Sequence, residues 1–447
     1  MPRFRLKHLL IDVKPLREQP AFGRLWAGTG LSSIGGTMTS FAMILQIFDA
    51  THSSAWVGAL GLVKAVPVFA LGVIGGTYAD SVDRRKFVLC TSSVLTLVSV
   101  LLAVQAYAAP GQAWPVLVLA AVQSLVLALD GPARRTFMPR LLPAESMAAG
   151  AALNQISMQV TRLAGPVLAG LVTAAAGVRM CYVVDAVSFL GAFYGLFGLP
   201  AMPPLDTLKR PVLSGTAAGI RYIVGNRVLA GAFLADVSAM VLGMPIALLP
   251  AINADRFGGS ARTLGLLTAG LAIGGLLASG LSGPVSRVQR HGRAMLIAVV
   301  VWGAAAVGLG LSRELWLALA CLVIAGAADT ISVVFRSTVV QLSTAEEFRG
   351  RVTSVDYVVG LGAPNLGNFE AGLVASFTSP TVSAVSGGLG AVIGAGLIAL
   401  AFPAFVSYRN RACGPRAQVT EPPAVEPEGE DDTGALSPAT EAPATSE

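Results

Sequence analysis

Seven ionisable residues, Lys64, Arg162, Asp185, Asp236, Asp329, Asp356 and Glu370, stand inside stretches of sequence that are otherwise apolar. A charge in such surroundings costs several kcal/mol unless it is paired or watered, so each is a candidate for work on a proton or a charged ligand. A carboxyl can exchange a proton, and a guanidinium can attract an anion or pair with an acid. Lys64 and Glu370 lie about nine and eight residues inside their stretches, roughly 12–14 Å deep at ~1.5 Å per residue. The three histidines, His8, His52 and His291, all fall outside these stretches. The four cysteines, Cys90, Cys181, Cys321 and Cys413, are too scattered for a metal or redox motif and read as small apolar residues. With no nucleotide-binding or metal-ligand spacing, an enzyme is not expected, nor is any cofactor.

The segments that must hold these residues are long. Hydrophobic residues make up 54% of the chain and charged residues 13%, about half the usual share for a soluble protein. Twelve runs, near 22–49, 55–80, 87–109, 113–135, 147–176, 179–200, 228–253, 262–286, 292–311, 314–337, 351–378 and 381–408, each hold the ~20 residues needed to cross a hydrocarbon core. The chain therefore reads as an all-α membrane protein of twelve transmembrane helices, with both termini on one side. Of the 31 lysines and arginines, 25 fall on that side, 4 on the other, and Lys64 and Arg162 inside spans. The positive-inside rule makes the rich side cytoplasmic. That distribution explains the net charge of +6 without a nucleic-acid partner. Arginine greatly outnumbers lysine, and alanine, glycine and valine abound, as in a GC-rich bacterial genome, so the expected location is a bacterial inner membrane.

The expected organisation is a basic, retained cytoplasmic segment at 1–20, six helices at 21–200, a cytoplasmic central loop at 201–227 and six helices at 228–408. An acidic tail rich in proline and glutamate, 409–447, buries too little to fold. The two halves echo each other at a shift near 201. Arg135-Thr136 matches Arg336-Ser337, and Pro143-Ala144-Glu145 sits where Thr344-Ala345-Glu346 sits. Two parallel six-helix halves with a site between them are the architecture of a rocking transporter. A small-molecule substrate, the lipid bilayer and a monomeric state are the expected partners.

Between the second and third runs, Gly75 to Lys86 combines paired glycines with an acid one helical turn before a basic triplet. Gly76-x-x-x-Asp80-x-x-x-Arg84-Arg85 resembles the cytoplasmic signature of the major facilitator superfamily, with Ser81 in place of its usual basic residue and Asp83 in place of glycine. Gly165-Pro166-Val167-Leu168-Ala169-Gly170 resembles the Gly-Pro motif of proton-antiporting exporters. Asp130-Gly-Pro-Ala-Arg-Arg135, Arg162-Leu-Ala-Gly-Pro166 and Asp185-Ala-Val-Ser-Phe189 are similar to the siderophore-exporter subgroup and related drug effluxers. The resemblance covers roughly residues 16–408.

It implies a major facilitator fold and a set of roles. Gly76 and Asp80 would form a cytoplasmic gate against the start of helix 11, with Arg84, Arg85 or Arg134 holding Asp80 and Asp356 nearby. A plain water-facing turn is the alternative. Gly165, Pro166, Ala169 and Gly170 would give helix 5 a small-residue face and a kink. Asp236, Asp329, Glu370 and Arg162 are candidate proton or substrate sites. Helices 2 and 11 adjoin in that fold, so Lys64 and Glu370 either pair across the halves or act separately, Lys64 snorkelling outward and Glu370 facing the cavity. Arg162 either attracts an anionic substrate or pairs with Asp185, two turns away. The implied function is proton-coupled export of a siderophore or related metabolite. Multidrug efflux, an uptake symporter and a non-transporting membrane protein follow in that order.

Overall fold

The computed structural model describes residues 13–71, 82–203, 212–280 and 288–409, and every regular element among them is helical. The long helices are α1 Pro20–Thr51, α2 Ser54–Leu71, α3 Arg84–Ala108, α4 Trp114–Arg135, α5 Met147–Ala176, α6 Val178–Phe197, α7 Arg227–Leu242, α8 Ala261–Gly280, α9 His291–Leu311, α10 Leu315–Ser343, α11 Arg349–Phe377 and α12 Pro380–Ala401. Ten segments are long and apolar enough to cross a membrane. The other two long helices, α5 and α11, have 30 and 29 residues. They are more polar because Asn154, Gln155, Gln159 and Arg162 interrupt one, and Asp356, Asn365, Asn368 and Glu370 the other.

Local chemistry sets several boundaries. Asp83 is the N-cap of α3, accepting from the backbone amides of Arg85 and Lys86. A carboxylate satisfies orphan amides at a helix start where glycine could not, which accounts for this departure from the signature. Asn226 caps α7 and Ser379 caps α12 in the same way. The helix α5 runs unbroken through Pro166. Three-residue 3₁₀ turns, Ala144–Ser146 and Glu346–Phe348, lead into α5 and α11, at the repeated Ala-Glu pair.

Three sequence expectations need correction. The seventh run is not one helix: α7 stops at Leu242, and Gly243 and Pro245 precede a 3₁₀ turn, Ile246–Leu248, and a second helix, Leu249–Arg256. Pro245 has no amide to continue the ladder. The central connection is not a bare loop, because Val212–Gly225 is helical. Its Tyr222 ring stacks on Phe348 at 4.4 Å, and its hydroxyl accepts from the Ala345 amide. The tenth helix continues to Ser343, six residues past the expected end at 337, which draws Arg336 inward.

Short connections make successive helices antiparallel, so the arginine-laden connections share one end of the bundle. The helices before residue 200 pack chiefly among themselves, α1 on α5 and α6 and α3 on α4 and α6, as do α9 on α10 and α12 in the later group. The two groups meet where α2 lies on α11 and α5 lies on α8. At the arginine-poor end one apolar core draws on both groups, from Phe41, Ile47 and Leu102 to Leu249, Leu264 and Leu322. Toward the arginine-rich end the cores are separate: Leu25, Val88 and Phe137 in one, Leu229, Val340 and Val352 in another. Among the described residues, the apolar core shared by both groups is the one at the arginine-poor end.

Candidate functional site

A cavity of about 680 Å³ lies between the two groups, walled by α1 and α5 on one side and by α7, α8, α10 and α11 on the other. Its walls are mostly apolar, with Phe41, Ile44, Met158, Met240, Met244 and Trp302 among them. Four charged residues reach it: Arg162, Asp236, Asp329 and Arg336. Cavities of this size with few convergent polar groups are the usual form of an organic-ligand site.

Arg336 organises the charge. It is 5% exposed, and its Nη1 donates to Asp236 Oδ2 at 2.9 Å and stands 3.2 Å from Asp356 Oδ1. One guanidinium thus joins α7, α10 and α11. Asp356, expected at a gate, belongs to this cluster. Asp329 lies two turns from Arg336 along α10, facing the cavity, and its field partners are Arg162 and Arg336. Among the described residues neither Arg162 nor Asp329 has an ion pair within bonding range. The cavity therefore presents a cation from the first group and an acid from the second, neither in an ion pair with a described residue.

The Gly-Pro motif sits against both neighbours of α5. A Cβ on Gly165 would collide with the Thr37 side chain of α1, and one on Gly170 would meet the backbone of Ala261 and Gly265 on α8. Ala169 is fully buried between them. Gln159 Nε2 donates to Ser279 Oγ at 3.3 Å, a second α5–α8 contact nearer the arginine-rich end.

The α2–α11 seam closes the arginine-poor end. Gly58, Gly61 and Gly372 bring the two backbones into contact along Asn365 to Gly372. Asn368 adds a hydrogen bond from the Ala247 amide at 3.0 Å, just past the α7 break. Lys64 and Glu370 do not pair here, and Glu370 does not line the cavity. With Gly61 opposite Asn365 and Gly58 opposite Phe369, Lys64 and Glu370 stand roughly two turns apart in this register. Glycine contact, not an ion pair, closes this end.

At the arginine-rich end, Gly76 and Asp80 lie outside the described residues. Two of the three cations expected to hold Asp80 have described partners. Arg134 pairs with Asp130 on its own helix and donates to Ser92 Oγ at 2.8 Å. Arg85 donates to the Phe197 carbonyl at the end of α6 at 2.9 Å. Arg84 is buried at the start of α3. The group-to-group contact that the sequence reading missed is Arg135, whose guanidinium stands 4.1 Å from the centre of the Tyr357 ring on α11. A cation over an aromatic face contributes about 0.5–2 kcal/mol. Tyr357→Ala should open this end roughly 2- to 30-fold more often. The measure is the reaction rate of a Gln155→Cys thiol in the cavity with an impermeant maleimide, and an unchanged rate would remove Arg135 from the gate.

Residues 12–437 match the family described as transmembrane secretion effectors. The chain belongs to that family. Among the relatives of this secretion effector, the Enterobactin exporter EntS of Shigella boydii serotype 18 is 24% identical over 386 residues, 86% of this chain and 92% of the relative. EntS of Escherichia coli O139:H28 matches with the same identity and coverage. Solved structures share the fold. A POT family transporter in complex with 5-aminolevulinic acid has a TM-score of 0.71 at 12% identity, covering 87% of this chain and 97% of that one. A bacterial homologue of the iron transporter ferroportin in an inward-facing state has a TM-score of 0.63 at 16% identity, covering 87% and 99%. The secretion effector is thus a major facilitator superfamily membrane transporter with EntS among its relatives. Of the sequence candidates, Arg162, Asp236 and Asp329 converge on its cavity, joined by Arg336. The structure separates Lys64 from Glu370, and Arg162 from Asp185. Asp185 is bonded instead to Thr39 and Ser99.

Proposed function

We propose that this secretion effector is a proton-coupled exporter of a siderophore-type metabolite, working by alternating access between two six-helix halves of twelve spans. The halves would be 21–200 and 228–408, joined by 201–227, with 1–20, 409–447 and the arginine-rich end in the cytoplasm of a bacterial cell. The observation that carries this reading is the inter-group cavity with Arg162 on one wall and Asp329 on the other. An acidic, aromatic metabolite suits it, since Arg162 attracts the anionic group and Phe41, Trp302 and the methionines pack on rings. Asp329, free of an ion pair, is the cavity acid best placed to exchange a proton, with Asp236 restrained by Arg336. The proton gradient would be the only driving cofactor, and a monomer would suffice because the cavity is complete in one chain. The joined core at the arginine-poor end supports reading this state as closed outward.

The test is enterobactin efflux from energised proteoliposomes, with secretion by an iron-limited deletion strain lacking other exporters as the cellular arm. Arg162→Gln should weaken enterobactin binding about 10- to 150-fold, the range for loss of a charge-assisted hydrogen bond of 1.5–3 kcal/mol. Normal secretion from the deletion strain would overturn the siderophore assignment. Flexible Met158, Met240 and Met244 in the wall favour a second reading, multidrug efflux, which predicts raised drug susceptibility in the same strain.

A further inference from the structure

Outside the cavity, one acid in the first helix group has only neutral partners. Asp185 on α6 is fully buried, and its Oδ2 accepts from Thr39 Oγ1 on α1 and Ser99 Oγ on α3, each at 2.7 Å. Its Oδ1 has no hydrogen-bond partner and faces the bare Cα of Gly35, beside the Ser188 hydroxyl. The Ser188 hydroxyl donates to Asp185's own carbonyl. The charged residues on the surrounding helices are remote. On α1 they are Arg24 and Asp49, and on α3 Arg84, Arg85 and Lys86. Arg162 is on α5, and Arg179 opens α6. None of them acts on the Asp185 carboxyl among the described residues; the acting groups are the Ser99, Thr39 and Ser188 hydroxyls.

Three other acids within the helices differ. Asp130 is fixed by Arg134, and Asp236 and Asp356 by Arg336. A hydroxyl donates or accepts as it rotates. Thr39 and Ser99 can therefore solvate a carboxylate on Oδ2, and a proton placed on Oδ1 finds the Ser188 oxygen beside it. Both charge states have partners without rebuilding the core.

We propose that Asp185 is a proton-binding site in the first helix group, separate from the substrate cavity and coupled to it through α1. The link is short. Thr39 bonds Asp185, while Thr37 and Ser40 on either side line the cavity. Thr37 also seats Gly165 of the Gly-Pro motif. Releasing the proton leaves a charge on Asp185, which pulls the Thr39 and Ser99 hydroxyls tighter and moves α1 against α5. Polar side chains lead from one turn beyond Asp185 toward the arginine-poor face, where water can exchange the proton. Tyr182, one turn from Asp185, donates to Gln46 Oε1 at 2.7 Å, and Gln46 Nε2 donates to Gln105 Oε1 at 2.7 Å. Gln46 and Asp49 open on a surface cleft of about 610 Å³. The proposal rests on the proton-coupled reading above, but its test needs no substrate.

The purified full-length protein in lipid is titrated by infrared difference spectroscopy, reading the protonated-carboxyl C=O band. Asp185→Asn should remove one titrating band present in the parent; an identical set of bands would overturn the proposal. If Asp185→Asn does not fold, Ser99→Ala and Thr39→Val serve instead, each shifting that band's frequency and midpoint, and unchanged bands again overturn it. Coupling is read with Ser40→Cys in a chain whose four native cysteines are replaced. Its maleimide reaction rate, divided at each pH by that of the same thiol in the denatured protein because the thiolate is the reacting species, should change several-fold between acid and alkaline medium in the parent and stay flat in Asp185→Asn. A pH response that survives Asp185→Asn would place the coupling elsewhere. Failure to export enterobactin with these signals intact would refute only the substrate assignment.

Discussion

Arg336→Met should lower the stability of the folded protein by about 3–5 kcal/mol, because it strands two acids that share one buried guanidinium. Asp236 is 3% exposed and Arg336 5%, so water cannot replace the lost partner without opening the helix group. The measurement is the thermal unfolding midpoint of detergent-purified protein. Arg336→Lys should fall between parent and Arg336→Met: the charge survives, but an ammonium is more strongly hydrated than a guanidinium and costs more to bury. The triple variant Arg336→Met/Asp236→Asn/Asp356→Asn should recover most of the loss, since it removes the uncompensated charges together. If Arg336→Met unfolds with the parent, the cluster contributes nothing to the fold.

The second large effect belongs to the glycine seam. A side chain on Gly372 would meet the Ser54 carbonyl and the backbone of Gly58, so Gly372→Leu must push α2 away from α11. Overpacking of this kind costs about 1–3 kcal/mol, here charged only to the state in which the arginine-poor end is closed. That shifts the balance between states roughly 5- to 150-fold towards opening at this end. The cavity thiol Ser40→Cys should then react faster with impermeant reagent applied at the arginine-poor face, and transport should fall while the protein still folds. Equal reactivity and normal transport would show that the seam does not gate.

Much of this was legible in the sequence, at the level of elements. The runs of apolar residues gave ten of the spans by length alone, and α5 began and ended where its run did. Charge placement separated the two ends. The intramembrane acids and Arg162 were visible because polar residues in apolar runs stand out, and three of those residues do meet in the cavity. Partners were less legible. Arg336 counts among the 25 cations of the charge-rich side because the apolar run ends at 337, whereas the helix carries on through Val339 and Val340 to Ser343. The Lys64–Glu370 reading had the right helices and the wrong register, which small residues fix: Gly58, Gly61 and Gly372 set the offset, and nothing in one chain's sequence says which glycines face each other. Arg135 was already marked by its match to Arg336, yet the two differ in use. One reaches Tyr357 in the other group and the other stays within its own. The partners of Asp185 are not legible, because hydroxyls drawn from α1 and α3 leave no pattern in sequence.

The interruption after α7 has a consequence for what the protein can accept. Met244, Ile246 and Leu249, on and just beyond the break, form part of the cavity wall, and Ala247 between them is held by Asn368 of the α2–α11 seam. The same few residues therefore feel the occupant from one side and fasten the far door from the other. A molecule large enough to press on that stretch works as its own key. On the exporter reading proposed above, a smaller analogue that fills the polar part of the cavity without touching the latch should act as an inhibitor and not as cargo.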